Sequence, residues 1–173
     1  MKYIRSVKVL IAFVLLIFAI ILVLLGEIQG SGYIFIASMI VLFAHLFFGE
    51  VIAAYKQLGQ RKFDRAERLL DSTFSEDLLF KMHRAYYYLS KSIISSNQGE
   101  YEASEHYLTQ STQTGGLRDR DKVMAWINLS YLFLSRGDKQ KAMDYFERTK
   151  FVVINDLRVK SELEKLEQAI HSR

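Results

Sequence analysis

Trp126-Ile-Asn-Leu129-Ser130-Tyr-Leu-Phe133, then Arg136-Gly137-Asp138, then Ala142-Met-Asp-Tyr-Phe146, is the stretch that decides the architecture of this chain. Apolar residues recur at helical intervals on both sides of a glycine, the pattern of two amphipathic helices joined by a tight turn. Ser130 and Ala142 are small, so the two helices can approach closely at that point. Trp126, Leu129, Phe133 and Phe146 fill the space around the contact, Gly137 relaxes the turn, and Asp138 is placed to cap the second helix. The same spacing of small residues recurs upstream. Ser92 and Ser104 lie 38 residues earlier, and Ala54 and Ala66 lie 38 before those. Repetition at this period marks stacked helix pairs, so the fold class reads as all-α.

The copies are unequal. The middle one keeps Ser92 and Ser104, the turn Asn97-Gln98-Gly99-Glu100-Tyr101, and Leu108, but has Lys91 where Leu129 corresponds. Ser75 is placed to cap its first helix, with Phe74 and Leu79 spaced as a hydrophobic staple. The earliest copy retains Ala54, Phe63, Ala66 and Leu70. Its first helix, over 50–60, follows the preceding apolar segment with no breaker between them. After the last copy, Leu157, Leu163, Leu166 and Ile170 recur among many charges, which predicts an amphipathic capping helix over 155–170.

The clearest copy resembles the tetratricopeptide repeat (TPR), written W-x2-L-G-x2-Y followed by A-x3-F. Ser130 stands in place of the glycine and Phe133 in place of the tyrosine, and the closing proline is absent. The resemblance covers about residues 50–150, with a period longer than the family's usual length of about 34. It implies an α-solenoid of about three helix pairs that binds peptides on the face formed by the first helix of each pair.

Residues 1–49 differ in kind. Val9 to Leu25 is an unbroken apolar run, and Tyr33 to Gly49 forms a second after a turn containing Gly26, Gly30 and Gly32. The first run exceeds a signal-peptide core of about 7–15 residues, and no small-x-small cleavage site follows it. A two-helix transmembrane hairpin is therefore expected, continuing into a repeat domain over 50–173. Lys2, Arg5 and Lys8 precede the hairpin; Lys56, Arg61, Lys62, Arg65 and Arg68 follow it, while the turn carries only Glu27. By the positive-inside rule this predicts a multi-pass protein, bacterial inner membrane being the natural setting, with both termini cytoplasmic. His45 and Glu50 fall in or beside the second apolar run, and structural roles are expected for both.

The formal net charge of +4 divides into about +2 for residues 1–49 and +2 for the remainder, so no nucleic-acid-binding face is implied. The absence of cysteine excludes disulfides, thiolate metal sites and a cysteine nucleophile. No phosphate-cradling glycine loop, G-x-S-x-G or H-E-x-x-H occurs. Glu102 and His106 lie one turn apart, a spacing that a helix surface shows routinely, and neither they nor His83 and His171 suggest a metal site. The chain is therefore expected to be non-enzymatic, without cofactor or metal.

One TPR subset grips a terminal carboxylate with lysines, asparagines and an arginine on the first helices. The matching positions here are mostly apolar or aromatic, Val51 and Tyr55 among them, so that clamp looks absent. The resemblance instead implies a tyrosine-rich groove built from Tyr86, Leu89, Ile93, Met124, Ile127, Asn128 and Tyr131, suited to an extended or amphipathic segment. Within Tyr86-Tyr87-Tyr88, Tyr88 matches Trp126 and is assigned to the core, Tyr86 to the groove. The expected function is a membrane-tethered scaffold or adaptor with a protein or peptide partner, the lipid bilayer as a second partner, and oligomerisation allowed. Two alternatives stand beside it: a structural subunit of a secretion or envelope complex joined through its transmembrane helices, and an oligomeric ion- or proton-handling protein using His45 and Glu50.

Overall fold

The computed structural model describes residues 7–26, 28–48 and 50–172. Over these the chain is helical, and no strand occurs among the described residues. The helices are α1 (Val7–Leu24), α2 (Ile28–Phe48), α3 (Val51–Gly59), α4 (Phe63–Asp71), α5 (Lys81–Asn97), α6 (Tyr101–Thr114), α7 (Asp119–Ser135), α8 (Lys139–Thr149) and α9 (Leu157–Ser172), with one 3-10 turn at Glu76–Leu78. The chain divides into two compact units, residues 1–83 and 84–173, with the boundary inside the first turn of α5.

In the first unit α1 packs along α2 and α3 against α4. Among the described side chains of the hairpin Ala19, Ser31 and Ser38 are buried, and the Ser38 hydroxyl donates to the Ile34 carbonyl at 2.8 Å. Small side chains at the seam allow close approach, while Phe13, Ile17, Ile20, Tyr33, Ile36 and Ile40 lie exposed on the outside. The expected crossing of a membrane is corrected here: among the described residues no helix is long and apolar enough to cross one. α1 has 18 residues, or about 27 Å of helix, against a hydrocarbon core of about 30 Å. α2 has 21, but Gln29, Gly30, Ser31, Gly32 and Ser38 dilute its apolarity. The multi-pass localisation with cytoplasmic termini is withdrawn with it, as are the two alternatives that require spanning helices. Lys2, Arg5, Glu27 and Gly49 lie outside the described residues, and so does the His45 side chain.

The 38-residue period is written into the backbone as well as the sequence. α4, α6 and α8 begin at residues 63, 101 and 139; α3, α5 and α7 end at 59, 97 and 135. Each turn closes with the same bonds. The N–H groups of Lys62, Glu100 and Asp138 reach back five residues to the carbonyls of Gln57, Ser95 and Phe133, at 3.0, 2.9 and 2.9 Å. Just before each of these donors the chain enters the left-handed region, at Arg61 (φ 57°), Gly99 (φ 81°) and Gly137 (φ 81°). This is the Schellman arrangement that ends a helix and satisfies its last carbonyls. Asp138 caps α8 as expected, its carboxylate accepting from the Lys141 N–H at 3.1 Å. That bond holds the Asp138 carboxyl below its ordinary range.

The small-residue pairs sit where the helices of each pair meet. Ala54, Ala66, Ser130 and Ala142 are fully buried, and Ser92 and Ser104 nearly so. The Ser104 hydroxyl also donates across to the Ser92 carbonyl at 3.0 Å, a bond the size argument alone does not supply. In the second unit α7 packs against α6, α8 and α9, and α8 against α9. Leu129, Phe133 and Phe146 are buried as expected, whereas Trp126 is half-buried with Lys122 5.8 Å above its ring.

Two local expectations are corrected. Residue 50 is in a turn between α2 and α3, so the first helix of the earliest pair is a separate short helix and not a continuation of the apolar segment. Ser75 caps the 3-10 turn, its Oγ accepting from the Asp77 N–H at 3.3 Å, and α5 starts six residues after it. Leu79 is buried but Phe74 is exposed, so the staple does not form. Phe80 takes up the anchoring role instead: its N–H donates to the Phe47 carbonyl at 3.0 Å, and its ring packs on Phe43, Phe47 and Phe48.

Candidate functional site

α7 presents one continuous accessible stripe. Asp121, Met124, Asn128, Tyr131 and Ser135 follow each other at three- and four-residue steps, which places them on one face of the helix. Asn128 and Ser135 are exposed and the other three half-buried. The intervening Val123, Ala125, Ile127, Leu129, Ser130, Phe133 and Leu134 are buried, and they fix the rotation of the helix. Of the expected groove residues, the structure therefore brings Met124, Asn128 and Tyr131 together on α7, while Ile93 is half-buried on α5.

Ile127, Leu89 and Tyr86 are interior side chains, exposed by only 1%, 4% and 4%. Tyr86 reaches from α5 to α7, where its hydroxyl donates to Asp121 Oδ2 at 2.5 Å. Burial, then the hydrogen bond to the Asp121 carboxylate and its negative charge, push the Tyr86 phenol up to about 12, with Arg118 opposing them. The groove assignment of Tyr86 is thus corrected to an interior one. Tyr86 ties two first helices together, and the half-buried Tyr88 stacks on Tyr107 of α6 with centroids 6.4 Å apart.

One part of the stripe's surroundings escaped the sequence reading. Tyr131 feels Glu162 and Lys165 of α9, which pair with each other at 2.7 Å. Partial burial raises the Tyr131 phenol first, the Glu162 charge adds to this, and Lys165 works against it. The capping helix therefore supplies a charged rim beside the stripe. Only the packing of α9 against α7 reveals it, since the two segments are about thirty residues apart in sequence.

The stripe can hold a chain segment in two ways. Met124 and Tyr131 give apolar and aromatic area, with the adaptability of a thioether and the low entropy cost of a rigid ring. Asn128 offers an exposed amide, able both to donate to and accept from a peptide backbone. Among the described residues no group of three or more His, Asp or Glu is placed to hold a metal ion. Comparison with family models, with curated proteins and with solved structures returned no match to any of them.

Proposed function

We propose that this chain is a non-enzymatic binding module of TPR type, which holds a protein partner by an extended or amphipathic segment laid along α7. The observation that carries this reading is the accessible stripe of Met124, Asn128 and Tyr131 on a helix whose core-facing side, from Val123 to Leu134, is buried. Its support is the 38-residue recurrence of helix ends, turns and buried small residues, which is how stacked helix pairs expose the first helix of each pair to a ligand. The Glu162–Lys165 pair on α9 adds polar selectivity at the rim.

The test is a binding measurement between the full chain and the protein that co-purifies with it. Asn128→Ala combined with Tyr131→Ala is expected to weaken that affinity at least tenfold, since anchors of this kind are worth more than about 1 kcal/mol each. Gln140→Ala on the exposed side of α8 serves as the control and is expected to change nothing. Unaltered affinity in the double variant refutes the proposal.

A further inference from the structure

The segment between α8 and α9, with the first residue of α9, carries the most exposed large apolar side chains of the second unit. Phe151 is 87% exposed, Val153 91% and Leu157 80%. Val152 and Ile154, alternating with them, turn inward and are half-buried. Beside this ridge lies a cavity of about 310 Å³, whose apolar lining comes from Phe146, Val152, Ile154 and Leu163. Lys160, Glu164 and Glu167 stand on its α9 side.

A protruding apolar ridge and an apolar hollow thus sit side by side on one face. That is the requirement for an isologous two-fold contact, in which each copy offers the same patch and fills the other's hollow. The charges on α9 agree with it. Leu157, Lys160, Glu164 and Glu167 share the exposed face of the helix, opposite the buried Val159, Leu166 and Ile170. None of Lys160, Glu164 and Glu167 forms an ion pair among the described residues. Basic charge lies toward the start of this face and acidic charge toward its end. Antiparallel pairing of two α9 helices therefore sets Lys160 of each copy against Glu164 and Glu167 of its partner.

We infer that the α8–α9 face is a self-association surface, docking a second copy of this chain with Phe151 of each copy in the cavity of the other. The peptide-binding stripe is not consumed, because Glu162 and Lys165, which adjoin Tyr131 of α7, lie on a different side of α9. The inference stands independently of the proposed binding activity.

The absence of cysteine makes the test clean. A single cysteine is introduced into the full chain at Ser161 or at Glu164, both exposed and both near the two-fold axis this pairing requires, with Gln113→Cys on α6 as the reference. Under mild oxidation the α9 cysteines are expected to form disulfide-linked dimers at least tenfold faster than position 113. Phe151→Asp is expected to abolish the difference. Lys160→Glu is expected to weaken the contact, and mixing it with a Glu164→Lys/Glu167→Lys chain to restore cross-linking between the two variants, read at Ser161→Cys. Equal rates at positions 113, 161 and 164 overturn the inference. So does α9 cross-linking that survives Phe151→Asp and ignores the charge exchange, which would point to association through another surface such as the exposed α1–α2 side chains.

Discussion

Arg61 occupies a backbone position that Gly99 and Gly137 fill in the other two turns. At φ 57° its Cβ crowds the following carbonyl, which costs an L-residue roughly 1–2 kcal/mol. Arg61→Gly removes that strain, partly offset by the greater freedom of glycine in the unfolded chain. A gain of about 1 kcal/mol in urea denaturation is therefore expected. A loss would show that the Arg61 side chain stabilises the turn more than its backbone destabilises it. This equivalence was within reach of the sequence, because 61, 99 and 137 are separated by the same 38 residues. The resemblance to a glycine turn concealed it in the one copy that lacks the glycine.

At the scale of elements, the pair of helices was the most legible unit. Its signals are local: small residues twelve apart, a turn between them, and apolar side chains around the contact. The boundaries that were misread depend on longer-range competition. The separation of α3 from α2 and the 3-10 turn before α5 arise where Phe80 docks on Phe43, Phe47 and Phe48, partners more than thirty residues away. Tyr86 was misplaced for a similar reason, since its partner Asp121 lies 35 positions on. The Tyr86–Asp121 bond couples two first helices, and its pH dependence follows from the phenol's raised pKa. Between the ordinary value of 10.0 and about 12 the folded state retains a proton that the unfolded state releases. Stability contributed by this group is complete below pH 10 and is lost as pH rises through that window. Tyr86→Phe is expected to cost about 1.5–3 kcal/mol at neutral pH, as for a hydrogen bond to a charged group. It should also flatten the decline of stability above pH 10. Denaturation curves at pH 8 and pH 11 check both, and identical pH slopes for the two proteins would contradict the assignment.

The whole molecule comprises an apolar helical hairpin with one helix pair in the first unit and two further pairs with α9 in the second. The length of the two apolar runs and the basic residues flanking them led the hairpin to be read as membrane-spanning. The error lies in length and dilution: α1 ends after 18 residues, and glycine and serine interrupt α2. The candidate site was legible in part, because helical periodicity places Met124, Asn128 and Tyr131 on one face whatever their neighbours. It could not show which first-helix residues the adjoining helices cover, or that α9 brings Glu162 and Lys165 to the rim. Whether the α7 stripe holds a protein segment is decided by photo-cross-linking in cells from position 131, with position 140 on α8 as the reference. One protein partner, mapped to a single short segment, is expected from position 131 and not from 140. The same products from both positions, or none from 131, would contradict it.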